Sequence, residues 1–255
     1  MSAGDREDPR SSGAAEPELL AQMGGGALRR APQPEKAYGL SDEVRAQLAA
    51  LELDPARPLL ALDADEVLLE FSTHLGRWME GEGWRLDLTS YRLEGAIRRI
   101  DGGRPAEGWE VGKLINGFFD AQVEEMTTAP GAAAAVDALG EIAQVIVLTN
   151  VPFVHRQARA RCLAAQGISA PVVANSGGKG RALRWLWDRT EAPMAFVDDA
   201  EPQLFSAKSR APDVFRLHFI ASDHLRRVAG DAPSANAQAD SWPEAVTRLR
   251  AALAA

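Results

Sequence analysis

Two carboxylates two residues apart, in Asp63-Ala64-Asp65-Glu66-Val67, close a short apolar run, Pro58-Leu59-Leu60-Ala61-Leu62. A carboxylate fixed at the end of a buried strand can attack phosphorus and form an aspartyl phosphate, splitting one hard displacement into two easier ones. A second carboxylate just beyond it can protonate the leaving oxygen and later deprotonate water. Alone, such a segment is equally what a solvated strand-end turn looks like. Asp198-Asp199 closes Met194-Ala195-Phe196-Val197 and is ambiguous in the same way, because Asp is frequent where strands turn into loops. Beside Asp63, however, the pair concentrates negative charge that a hard cation would relieve. Magnesium suits this, since it takes a few carboxylate or carbonyl oxygens and completes its octahedron with water and substrate phosphate. Asp63, the Asp65 carbonyl and Asp199 are the expected ligands, supported by Asp198.

Thr149 and Asn150 end a further apolar run, Val145-Ile146-Val147-Leu148, and offer a hydroxyl and backbone N–H groups to phosphate oxygens. The bland alternative is a helix cap. Lys179, in Ser176-Gly177-Gly178-Lys179-Gly180-Arg181, opens a helix between glycines and can stabilise charge developing on phosphate oxygens, or else be an ordinary solvated lysine. The spacing, without the Ser or Thr of a Walker A loop, does not read as a nucleotide P-loop.

The elements that must position these residues follow from the pattern. The three runs ending at Asp63, Thr149 and Asp198 predict buried strands, each delivering a polar group at its C-terminal end. Weaker runs at 171–174 and 214–219 predict two more. Between them lie helical patterns: one capped by Ser41 and running through Val44, Leu48 and Leu51, then others near 130–140, 154–166, 182–188 and 242–253. Strands alternating with helices imply right-handed crossovers and a three-layer, doubly wound parallel α/β sheet. In such a sheet ligands bind beyond the carboxyl ends of the strands, where Asp63, Thr149 and Asp198 would converge.

Residues 71–127 interrupt the alternation. Val111, Leu114, Ile115, Phe118, Phe119 and Val123 follow helical spacing, and Ser72 before Leu75, Trp78 and Met79 suggests a shorter helix. Trp84 to Gly108 is open to helix, turn or strand. The interval reads as a small helical insert placed directly after the first strand.

In order and placement, Asp63-Ala64-Asp65-Glu66-Val67, Thr149, Lys179 and Asp198-Asp199 resemble the four motifs of the haloacid dehalogenase (HAD) superfamily, over about residues 57 to 255. The resemblance implies a HAD-like core at 41–70 and 128–255, with the insert at 71–127 as a C1-type cap that closes over the site. It implies Asp63 as nucleophile, Asp65 as acid and base, and Thr149 and Lys179 at the phosphate, with Asn150 beside Thr149 as a further phosphate-binding candidate from its strand-end position. Asp63, Asp65, Asp198 and Asp199 would hold Mg2+. Dehalogenases of the superfamily generally lack the second Asp, so Asp65 favours phosphoryl transfer. Phosphonatases use a cap lysine; Lys113 is the one lysine of the insert and reads as a solvated side chain. Glu66 departs from the pattern, standing where family phosphatases often have glycine. The implied activity is Mg-dependent hydrolysis of a small phosphomonoester through an aspartyl phosphate. Alternatives are a phosphomutase, or a binding or regulatory protein with little turnover.

Composition bounds the rest. With 255 residues, 46% of them apolar, the chain can bury a substantial core. A net charge of −8 is the wrong sign for a nucleic-acid or anionic-membrane binder; the partner that the resemblance implies is a small phosphorylated metabolite. Cys162 has no partner for a disulfide, no apolar stretch spans a bilayer, and the Gly- and Pro-rich residues 1–40 read as a disordered tail, not a signal peptide. A cytoplasmic protein is expected, with export as the lesser alternative; oligomeric state is not legible. Arg156, Arg159 and Arg161 read as the exposed face of the helix after Thr149. Trp78, Trp84 and Trp109 read as the small core of the insert, Cys162 as buried and inert, and the four histidines as scattered.

Overall fold

The computed structural model describes residues 38–89, 91, 93 and 95–254. Most of the expected tail lies outside them. Of its last residues, Tyr38 is buried and its hydroxyl donates to Asp188 Oδ2 at 2.8 Å, so the chain is already docked there.

The elements run α1 (Asp42–Ala49), β1 (Leu59–Leu62), α2 (Phe71–Gly81), β2 (Trp84–Leu86), β3 (Ile97–Arg99), α3 (Gly108–Gln122), α4 (Ala132–Gly140) and β4 (Gln144–Thr149). They continue with α5 (Arg156–Ala165), β5 (Val172–Ala174), α6 (Gly180–Trp187), β6 (Met194–Asp198), α7 (Glu201–Arg210), β7 (Phe215–Phe219), α8 (Asp223–Val228), β8 (Ala237–Ala239) and α9 (Trp242–Leu253). Six strands form one parallel sheet in the order β5-β4-β1-β6-β7-β8. The strand that ends at Asp63 therefore lies between those that end at Thr149 and Asp198, which is where the direction of winding reverses and ligands collect.

Alternation along β1 builds the layers. Leu60 and Leu62 pack with α4, α5 and α9, whereas Leu59 and Ala61 pack with α1, α6 and α7. All four residues of β1 are buried, as a strand covered on both faces requires, and each leucine contributes about 2 kcal/mol by leaving water. The start of α1 is fixed locally, the Ser41 hydroxyl accepting from Val44 N at 3.3 Å.

The insert is not wholly helical. Between α2 and α3, β2 and β3 form an antiparallel pair, Trp84 opposite Arg99 and Leu86 opposite Ile97. The two chains joining the insert to the sheet run side by side: Glu70 N donates to Thr127 O at 3.0 Å and Ala129 N to Leu68 O at 2.8 Å. His74 Nε2 accepts from Thr127 N at 3.0 Å across the same junction. Leu75 and Met79 from α2, and Leu114, Phe118 and Phe119 from α3, join a core continuous with Leu68 and Leu62. Trp84 belongs to that core and Trp78 packs against it, but Trp109 is exposed, its Nε1 donating to Glu107, so it does not build the insert as expected. Among the described residues, no helix is long and apolar enough to cross a membrane.

Candidate active site

The loop after β1 is held from both sides. Asp63 N donates to Val197 O at 2.9 Å, extending the β1–β6 pairing by one residue, and Asp63 Oδ1 accepts from Ala64 N at 2.7 Å. The chain then folds tightly, with Leu68 N and Leu69 N both donating to Ala64 O at 2.9 Å. Glu66 sits in this turn with φ of +59°, the one non-glycine residue with positive φ among those described. A glycine would adopt this conformation without the Cβ penalty. The Glu66 carboxyl is buried, and its Oε1 accepts from Ser72 N in the first turn of α2. Its Oε2 has no partner, and burial pushes the group above the ordinary carboxylate range.

Lys179 arrives from the side. The glycines around it let α6 approach α7 closely: a Cβ on Gly180 would stand 2.0 Å from Ser206 O, and Gly180 N donates to Ser206 Oγ at 3.0 Å. The lysine is thereby pressed into the interior, where Nζ lies 2.7 Å from both Asp63 Oδ1 and Asp198 Oδ2. Burial opposes its charge, but the two carboxylates outweigh burial and hold its pKa above the usual value.

Oxygens of Asp63, Asp198 and Asp199 come within 4.8 Å of one another. The one ammonium pairs with Asp63 and Asp198 and leaves Asp199 without a cation partner among these groups. Burial, followed by the neighbouring negative charge, raises Asp198 to about 7 and Asp199 well above its ordinary value. A hard, oxygen-only donor set with surplus negative charge fits a divalent cation such as magnesium, whose binding would relieve the repulsion. Asp198 Oδ1 also accepts from Ala200 N at 2.9 Å, which fixes the turn that presents Asp199.

Asp65 points elsewhere, to a partner that the sequence reading misplaced. Arg159 of α5 is fully buried instead of exposed, and its guanidinium meets Asp65 Oδ1 at 2.8 Å. Arg161 does stay at the surface, paired with Glu124. The buried face of α5 held the signal: Arg159 stands three and four residues before Cys162 and Leu163, both in the core. Burial raises the Asp65 pKa, against the lowering pull of Arg159.

These groups border a cleft of about 400 Å3 at the C-terminal edge of the sheet, with Asp63, Asp65, Lys179 and Asp199 at one end. Asn150 lines it too, its amide donating to Gly177 O at 3.0 Å and accepting from Asn175 at 2.9 Å. Thr149 is wholly buried beneath, and its Oγ1 lacks a partner. Lys113 is exposed.

No protein-family model matches the chain, and no curated protein does. Solved structures resemble it in architecture. A conserved haloacid dehalogenase-like protein of unknown function from Agrobacterium tumefaciens aligns with a TM-score of 0.56 and 13% identity over 78% of this chain and 100% of its own. A haloacid dehalogenase-like family hydrolase from Streptococcus pneumoniae aligns at 0.53 and 11% identity, over 76% of this chain and 98% of its own. A chain from Burkholderia xenovorans carrying the name haloacid dehalogenase-like hydrolase gives 0.53 and 15% identity, over 79% and 100%. Identities this low speak to architecture, and with its six-stranded parallel sheet and helices on both faces the chain has the haloacid dehalogenase-like fold.

Proposed function

We propose that the protein is a hydrolase of small phosphomonoesters that works through an aspartyl phosphate on Asp63. The observation that carries this is the convergence of Asp63, Asp198 and Asp199, with Lys179 paired to the first two, while Asp65 stands on the same cleft, held by a separate partner. In the first step an Asp63 oxygen bonds to phosphorus as the ester P–O bond breaks, and Asp65 gives its proton to the departing alkoxide. In the second, Asp65 takes a proton from water, whose oxygen attacks phosphorus and releases inorganic phosphate and free Asp63. The raised pKa of Asp65 suits a group that starts protonated. Lys179 stabilises charge on the phosphoryl oxygens, and the Thr149 hydroxyl supplies a further donor. Asp63, Asp199 and the Asp65 carbonyl would hold Mg2+, with Asp198 beside them; when bound, the ion offsets charge and aligns the phosphoryl group. The insert, as a cap, excludes bulk water and selects the alcohol. The substrate is a small phosphorylated metabolite, and a reducing cytoplasm is the compartment that a single buried cysteine suits.

The test is hydrolysis of phosphomonoesters by purified protein with magnesium. Asp63→Asn is expected to abolish turnover while the fold persists. Full activity in that variant would sink the mechanism. Binding of magnesium and phosphate without turnover of any ester would identify a binding protein instead.

A further inference from the structure

We propose that the cleft accepts phosphomonoesters of apolar primary alcohols, aryl-methyl or short alkyl, in preference to sugar phosphates; this rests on the phosphatase reading above and names its substrate class. The cleft is divided in character. Its ionic groups gather at the end nearest the sheet. The opposite wall is formed by Phe71 and Leu75 of α2, by Leu88, Tyr91 and Leu93 between β2 and β3, and by Leu225 of α8. Four leucines and two aromatic rings thus face the space that the alcohol would fill.

Three of the polar side chains on the lining are engaged within the protein, and Glu66 is bonded through one carboxylate oxygen while its other oxygen is buried. Both ends of the Asn150 amide are bonded, Gln203 Oε1 accepts from Lys179 N at 2.9 Å, and Asp65 is held by Arg159. A hexose seated against this wall would lose water from several hydroxyls and find few partners, which is how a site rejects a polar ligand. A benzyl or hexyl group gives up no hydrogen bonds and leaves water with its whole surface. The Tyr91 ring, apolar in body with one hydroxyl, is the kind of side chain that packs against such a group. The volume of about 400 Å3 falls at the lower end of small-molecule sites, enough for a phosphoryl group and one ring or short chain.

The experiment compares kcat/KM with magnesium for benzyl phosphate, hexyl phosphate, glycerol 1-phosphate and glucose 6-phosphate. All four lose a primary alkoxide, so intrinsic reactivity is nearly matched and the ratio reports the cleft. Benzyl and hexyl phosphate are expected to exceed glucose 6-phosphate by roughly 10- to 200-fold. In Leu93→Asn, a change on a half-buried loop, that ratio should fall about 10-fold. Glucose 6-phosphate turned over as well as benzyl phosphate overturns the proposal while leaving the phosphatase reading intact. If no ester is hydrolysed, that reading fails by itself. The preference is then read from calorimetric binding of benzylphosphonate against glucose 6-phosphate, where tighter binding of the sugar phosphate overturns the proposal and tighter binding of benzylphosphonate supports it.

Discussion

Arg159 and Asp65 stand 94 residues apart in the chain and meet at 2.8 Å, the guanidinium fully buried and the carboxylate on the cleft. A buried arginine is costly unless paired, and the pairing here fixes one oxygen of the proposed acid and base. Removing the guanidinium in Arg159→Met should cost about 3 kcal/mol in urea unfolding. It should also shift the limb of the pH–rate profile governed by Asp65 toward higher pH, because Arg159 is what lowers that carboxyl. Arg159→Lys should recover part of both effects. An unmoved pH profile in the Met variant would show that the pair is structural alone.

Stability should depend on pH in a direction set by the acidic cluster. Without a cation, burial raises Asp198 from 3.8 to about 7 and Asp199 well above 3.8. A carboxyl whose folded-state pKa exceeds its unfolded one contributes stability that is fully present below the unfolded value and lost as pH rises through the folded value. Metal-free protein should therefore melt higher at pH 6 than at pH 8. Magnesium binds the ionised form, so its stabilising shift should be larger at pH 8. Melting curves in chelator and in magnesium at both pH values check this, and equal magnesium shifts would count against it.

Glu66 combines backbone strain with a useful contact. Its φ of +59° costs about 1 kcal/mol relative to glycine, and its carboxyl holds the first turn of α2 through Ser72 N. Glu66→Ala keeps the strain and loses the contact, whereas Glu66→Gly loses both. The Ala variant should thus be the less stable of the two by about 1 kcal/mol in denaturant unfolding. The reverse order would mean that the turn relaxes.

Gly180 should tolerate nothing larger. A methyl 2.0 Å from Ser206 O forces α6 away from α7, so Gly180→Ala should cost about 3 kcal/mol and displace Lys179. Gly112, on the exposed face of α3 with open space around its Cβ position, is the control. Gly112→Ala should stabilise by about 0.5 kcal/mol.

The sheet around the site was legible because its three central strands are continuous apolar runs, each stopped by a polar residue. β1, β4 and β6 lie where Asp63, Thr149 and Asp198 place them. Elements with weaker local signals were not. β8 is three residues, Ala237–Ala239, whose pairing with β7 supplies what their side chains lack. α7 carries Pro202 in its first turn and few apolar residues, its packing decided by the close approach of Gly180. β2 and β3 pair across ten intervening residues without a hairpin signature. Arg159 was misread for a different reason. Charge alone assigns an arginine to the surface; the buried face it shares with Cys162 and Leu163 was the local sign, and the distant Asp65 supplies the partner that makes burial tolerable.

The central place of β1 also sets when the site can exist. Leu59 pairs with Gln144 on one side and Met194 on the other, so the strand bearing Asp63 keeps one bare edge until the chain has been made almost to Asp198. Contacts so distant in sequence form late and slowly. On the ribosome Asp63 is thus synthesised early and enclosed only once β6 has been made. A chain cut short before β6 would present an open, apolar strand edge and hold none of the acidic cluster beyond Asp63, which makes such fragments inert and prone to stick.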